Sequence, residues 1–351
     1  MHFIGLGVLT FVYSGLISPL IAHWSSEKGF FSHKKWSGQL VSLKDHGNIL
    51  EIHLTSALVS ALGIIFLSRR ILVVRSIDPL SIGLDSINKI LVGYSFLMAG
   101  IIIFELPTIY YDQRHAGGGV GGLILFNNLI ALGTSFLLIS ILHILVFKGY
   151  IFCYLNFTRS FQAGVASMVA ICGGVDIMTP LSCFFISIMS TGLYFSVALG
   201  LHESAYEDPC NVVAVHFVCG LLGHICTALF ASGENFGIMN PNGSAHLFWQ
   251  LYTFLVTFVF ALIIFLILFS IISALGILRT ELESRNHQMA MGIKQKKRRR
   301  CFKRLFNVSK KRVLYGPTSV LLAFQIGQVP YKLTYNAKRM QHRDHYDTDI
   351  V

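Results

Sequence analysis

The sequence predicts an all-α, polytopic membrane protein of about eight transmembrane helices, and three observations predict it. Hydrophobic residues make up 54% of the 351 positions and charged residues 13%, which is more apolar surface than one soluble domain of this size can hide. Those residues gather into eight stretches near the length of roughly 20 residues needed to cross a hydrocarbon layer of about 30 Å. Charge is segregated: 17 of the 28 Lys and Arg follow Leu278. The net charge of +11 therefore belongs to a tail and gives no reason to expect nucleic acid as a partner.

The first stretch, 3–23, lacks the positive n-region and small-residue cleavage site of a secretory signal and is long for a signal core, so it reads as a span that stays. The next two, 48–68 and 89–109, flank an arginine-bearing loop at 69–88. The fourth, 118–147, opens among the glycines of Gly117 to Gly122, small residues that let helix backbones approach closely in lipid. Gly173-Gly174 does the same in the fifth, 161–179, which meets the sixth, 181–201, at Thr179-Pro180. The seventh and eighth are 211–231 and 248–277.

Eight spans put both ends on one side, and Lys294 with the run Lys296 to Arg300 makes that side the cytoplasm by the positive-inside tendency. A sequon, Asn242-Gly243-Ser244, then falls in the outer loop 232–247, whereas those at Asn156 and Asn307 fall inside and stay unmodified. The abrupt polar shift divides the chain into a transmembrane domain, 1–285, and a basic cytoplasmic tail, 286–351, suited to lie beside anionic headgroups. The seven cysteines sit mostly inside apolar stretches without metal-type pairs and read as small core residues, with no metal or cofactor implied.

Ionisable groups inside a membrane are costly and mark function by default. His53 lies about a turn and a half inside the second stretch and His216 similarly in the seventh, each eight positions after an acidic residue, Asp45 and Asp208. Eight positions are about 12 Å of helix. Facing imidazoles in an apolar pore share a proton, stay neutral because desolvation disfavours the cation, and offer a stepping stone to a small hydrogen-bonding solute. A clamped haem iron or two unrelated helix contacts fit the same spacing. No catalytic constellation is present to suggest an enzyme: His202-Glu203 lacks the second histidine of a zinc protease motif.

The run from Asp208 through Asn211, Val215-His216 and Cys219-Gly220 to Gly223 resembles the DDPxDxxxVHGVCGxxG signature of the ammonium transporter family, which includes the more distant Rhesus glycoproteins. Ser18-Pro19-Leu20-Ile21-Ala22-His23-Trp24 is similar to its YxPxAHW, Ala163 to Ser167 with Thr179-Pro180 to its LAGLVAITP stretch, and Gly276 to Glu283 to the segment after its last span. The resemblance covers roughly residues 10–285 in family order. It implies a trimer of eleven-span subunits, each with its own narrow pore, the eight spans here corresponding to the fourth to the eleventh. The family's first three spans are then missing from this chain.

By that resemblance His53 and His216 match the pore histidines. Asp45, Trp24, Asn211 and Asp208 match residues of the outer vestibule or its structural support, Asn211 replacing an aspartate. Ser26 stands where an aromatic is expected, Leu97 where a gating phenylalanine is, and Ile101 where a serine hydroxyl is. The implied function is transport of ammonium or ammonia across a lipid bilayer, at the plasma membrane, by a homotrimer or a hetero-oligomer with a longer paralogue. The eroded selectivity positions leave a second reading, a non-conducting truncated relative that acts as a sensor or modulatory subunit.

Overall fold

The computed structural model describes residues 2–26, 28–32, 34–36, 38–67, 84–106, 119–147, 154–204, 206, 208, 210–231, 237 and 243–279. The sequons at Asn242 and Asn307 and the tail from 286 lie outside the described residues. Contacts divide the chain into one unit of 1–69 and 93–278 and a second of 70–92 and 279–351. The second has as its described residues 84–92, which open a helix, and Arg279.

Among the described residues eight helical segments follow one another. They are α1 (Phe3–Ser25), α2 (Ile49–Leu67), α3 (Leu84–Glu105), α4 (Gly119–Phe147), α5 (Tyr154–Ile171), α6 (Pro180–Glu203), α7 (Val213–Phe230) and α8 (Gly243–Ala274). A short hairpin, β1 (Lys34–Trp36) with β2 (Gln39–Val41), lies in the first loop and pairs Lys34 with Val41. Six of the helices, α1, α2, α4, α6, α7 and α8, are long and apolar enough to cross a membrane. Each of the eight expected spans overlaps one helix, and three of them are displaced: the third, expected at 89–109, runs from Leu84 to Glu105. The fifth, expected at 161–179, is helical over Tyr154–Ile171 and leaves the helix through a tight turn at Cys172–Gly174. The next helix has its own start signal: Thr179 caps it by accepting the Ser182 N–H at 3.2 Å, and Pro180 starts it, which proline at a first helical position favours. The eighth begins earlier than expected, at Gly243.

Three helices are not uniform. α1 contains a π-helical turn at Tyr13–Ile17, and α2 and α7 both open with one, at Ile49–Thr55 and Val213–Val218. Such turns occur mainly where a helix serves a site.

Packing forms two large apolar clusters in the first unit, besides a small one of Val41, Ala245 and Trp249. One joins α4, α5 and α6 with α7 through Ile124, Ile139, Met168, Ile186, Tyr194 and Val215. The other joins α1, α2 and α8 through Ile17, Ile21, Leu50, Leu54, Phe265 and Phe269. Close approach depends on glycine where α5 crosses α7: a Cβ on Gly223 would stand 2.4 Å from the Ala170 carbonyl oxygen. Beyond these clusters many large apolar side chains face outward, among them Phe3, Phe11 and Leu137, as a lipid-solvated surface allows.

Candidate functional site

The two π-helical turns carry the histidines and are built alike. Asp45 accepts the backbone N–H of Ile49 at 2.6 Å and of Leu50 at 3.0 Å. Asp208 accepts those of Val212 at 3.0 Å and Val213 at 2.9 Å. A carboxylate at a helix N-terminus satisfies donors that have no partner within the helix. Three residues after each aspartate the chain enters the left-handed region, at Asn48 (φ 51°) and Asn211 (φ 53°), a conformation asparagine tolerates better than most residues. The full pattern is an aspartate, an asparagine three residues on and a histidine five residues after that, at 45–53 and 208–216. The eight-residue spacing and Asn211 were legible; its counterpart Asn48, at the same place in the other segment, was missed.

The consequence is a meeting of the two rings. His53 Nδ1 lies 3.2 Å from His216 Nδ1, with ring centroids 5.2 Å apart and planes within 11°. His53 is buried, as are its chain neighbours Leu50 and Leu54 and the Val215 that precedes His216. One nitrogen of such a contact must donate and the other accept, so the neutral pair shares a single proton along this line. The ring that donates at Nδ1 then accepts at Nε2, and its partner carries the Nε2 proton.

The supporting residues take distinct places. Asn211 donates to Gln162 Oε1 at 2.8 Å, and Tyr194 donates to the same atom at 2.7 Å. The amide at 211 thus serves a neutral glutamine, a partner not evident from its place in the motif. Trp24 ends α1 with its ring 4.9 Å from Phe260 and edge-on to Phe31 at 5.9 Å. Phe31 is buried and its carbonyl accepts Trp249 Nε1 at 2.9 Å. Aromatic rings therefore surround Trp24 despite Ser26. Leu97 is exposed and Ile101 packs into the α4–α6 cluster, so neither joins the histidines.

A polar layer lies beside the Asp45 turn. Lys44 Nζ reaches Asp176 Oδ2 at 2.6 Å, with His46 Nδ1 3.6 Å from the same oxygen. His46 Nε2 lies 3.0 Å from the Glu105 carbonyl, and Asn128 donates to Glu105 Oε2 at 2.6 Å. Burial pushes the Asp45 carboxyl up to about 6 against the opposing pull of the Leu50 and Ile49 N–H groups, which leaves it mostly ionised at pH 7. Among the described residues no group of three or more His, Cys, Asp or Glu is arranged to hold a metal.

The sequence profile of the Ammonium Transporter Family matches residues 1–294. This chain belongs to that family. Ammonium transporter Amt2 of Methanocaldococcus jannaschii is 24% identical over 230 residues, which are 63% of this chain and 47% of the relative. The chain thus spans about half the length of that relative. Among solved structures, a Sensor Amt Protein is similar at 22% identity and a TM-score of 0.60, with 77% of this chain and 65% of that one covered. Candida albicans Mep2 superposes at a TM-score of 0.64 and 18% identity, over 79% of this chain and 60% of its own. Saccharomyces cerevisiae Mep2 gives 0.64 and 16% over the same shares. The family and the apolar helices make this an integral, multi-pass membrane protein with an ammonium-transporter-like helix bundle.

Proposed function

We propose that the chain transports ammonium or ammonia through a pore lined by His53 and His216. The observation that carries the reading is the 3.2 Å contact between the two Nδ1 atoms, at the meeting of two capped π-helical turns in a member of this family. Because one imidazole presents an Nε2 acceptor and the other an Nε2–H donor, a neutral ammonia molecule finds a donor and an acceptor in succession without either ring becoming charged. The aromatic group of Trp24, Phe31 and Phe260 suits attraction of a cation over ring faces before it sheds its proton. Asp45 and Asp208 act as positioning residues by fixing the turns. The working unit is a homotrimer or a hetero-oligomer with a longer paralogue, in the plasma membrane, with residues 1–285 as its transmembrane domain and the basic tail 286–351 in the cytoplasm.

Uptake of methylammonium by cells expressing the chain, with its surface level measured, tests this. His216→Ala and His53→Ala are each expected to reduce uptake by tenfold or more at unchanged surface level. Undiminished uptake in the double variant removes the imidazoles from the mechanism. A second reading, a sensor or modulatory subunit, is favoured by the similarity to a Sensor Amt Protein and by the outward position of Leu97. It predicts that native chain at the surface takes up nothing.

A further inference from the structure

The loop that joins α1 to α2 carries four lysines, Lys28, Lys34, Lys35 and Lys44, against Glu27 and Asp45. Lys44 is paired with Asp176 at 2.6 Å, and Asp45 accepts the backbone N–H groups of the next helix. Lys28, Lys34 and Lys35 are exposed, and among the described residues none of the three is ion-paired. Such a group of cations attracts an anion, and how well it binds one depends on how firmly the loop is held.

The loop is held by α8. β1 pairs with β2 in the register Lys34–Val41, Lys35–Leu40, Trp36–Gln39. Side chains alternate across a strand, so Lys34, Trp36 and Val41 share one face of the hairpin and Lys35 and Leu40 the other. The first face lies on the start of α8: Val41 is buried with Ala245 and Trp249, and the Trp36 ring is 5.9 Å from Trp249 and 6.2 Å from Tyr252. Trp249 Nε1 donates to the Phe31 carbonyl at 2.9 Å and Gln250 to the Lys44 carbonyl at 2.8 Å, so the chain on both sides of the hairpin is tied to the same helix. Lys34 Nζ stands 5.7 Å from the centre of the Phe30 ring, within cation–π range. The second face is open, with Leu40 exposed, and Trp36 keeps about half of its surface exposed at the edge of the first.

The depth of the hairpin follows from α8. With 32 residues that helix is about 48 Å long, and centred on a hydrocarbon layer of about 30 Å it overruns by about 9 Å at each end. Trp249 and Tyr252 lie about 9 Å and about 14 Å from its start, at the level where hydrocarbon meets headgroups. Tryptophan and tyrosine concentrate at that level. Phe248 and Leu255, four positions before and three after Tyr252, face outward and are its neighbours on the helix surface. The hairpin therefore borders the lipid-facing stripe of a spanning helix.

We propose that the β1–β2 hairpin binds an anionic phospholipid, with Lys34 and Lys35 holding the headgroup phosphate and Trp36 and Leu40 set against the start of the acyl chains beside α8. A soluble anion would satisfy the lysines and leave the two apolar side chains in water; a phospholipid at this depth satisfies both. A headgroup of net negative charge is preferred to a zwitterionic one, whose own ammonium would meet the same lysines. Phe31 packs on Trp24 and accepts from Trp249, so lipid bound at the hairpin also braces the aromatic group at the end of α1.

Tryptophan quenching in the full chain tests this without requiring transport. The chain is placed in phosphatidylcholine discs containing a fixed fraction of chain-brominated lipid, either phosphatidylglycerol or phosphatidylcholine. The Trp36 signal is the difference between the native chain and Trp36→Phe. Brominated phosphatidylglycerol is expected to quench it at least about twofold more than brominated phosphatidylcholine. Lys34→Gln combined with Lys35→Gln is expected to bring the two to equality, which separates the hairpin from the basic tail as the source of the preference. Equal quenching in the native chain overturns the proposal, as does a preference that survives the double variant. A signal reached by neither lipid nor aqueous iodide overturns it in favour of a second copy or another protein covering the hairpin. Leu40→Trp, read as its difference from the native chain, needs no Trp36 variant and reports from the other face. The same preference is expected there, and quenching by iodide alone overturns the assignment.

Discussion

Asp45 shows how much a single side chain contributes to this architecture. It accepts two backbone N–H groups, at 2.6 and 3.0 Å, and an ionised acceptor at such a position contributes roughly 1–3 kcal/mol. Asp45→Ala is expected to lower stability by about that amount, measured as thermal unfolding in detergent. Asp45→Asn keeps one acceptor and isolates the charge. Burial raises the folded carboxyl from its ordinary value of 3.8 to about 6, so the folded state holds more protons than the unfolded chain between those values, and stability from this group is present below that window and lost as pH rises through it. The native protein should therefore lose ground to Asp45→Asn as pH rises from about 4 to about 6 and keep a constant difference above. A difference that grows in favour of aspartate over that range contradicts the assignment. At this scale the histidine spacing and both aspartates were legible in the sequence. Asn48 and Gln162 were not singled out, because a left-handed turn and an amide partner 49 positions away from Asn211 leave little periodic trace.

At the scale of elements, the crossing of α5 and α7 brings the second histidine turn against the core, and it depends on the absence of a side chain. The Cβ of an alanine at 223 would meet the Ala170 carbonyl oxygen at 2.4 Å and its Cα at 2.7 Å, both backbone atoms that cannot rotate away. Gly223→Ala is expected to destabilise by about 1–3 kcal/mol, as overpacking does, and to displace α7 along with His216. The measurement is a lower unfolding temperature together with reduced uptake. Gly63→Ala provides the comparison, because its Cβ would lie at an ordinary 3.6 Å from Phe269; an equal loss in both variants refutes the backbone argument. Helix existence was read well from apolar length, since lipid imposes a minimum span. Boundaries were read less well: α5 stops at Ile171 because Gly173-Gly174 packs against Ile49 and Thr227, a tertiary cause that hydropathy does not carry. The π-helical turns were likewise invisible, as their carbonyl pattern depends on the caps and on neighbouring helices.

For the whole molecule, the order of spans makes the two histidine segments antiparallel, one entered through Asp45 from the outside and the other through Asp208 from the cytoplasm, if the basic tail stays inside. Composition made the membrane class legible, while sidedness rests on charge in a tail and on loops of nearly balanced positive charge. Cysteine labelling decides it. Cys172, Cys183, Cys219 and Cys226 are buried, and Cys210 is exposed in the loop between α6 and α7, which the proposed topology places in the cytoplasm together with Cys153 and Cys301. An impermeant thiol reagent is therefore expected to leave the native chain unlabelled on intact cells and to label it after permeabilisation. Phe30, which is 49% exposed in the loop between α1 and α2, lies outside in the same topology, so Phe30→Cys should become labelled on intact cells. Labelling of Cys210 on intact cells, with Phe30→Cys protected, would reverse the orientation. It would place the Trp24 aromatic group on the cytoplasmic face, and ammonium would then meet that group on leaving the cell.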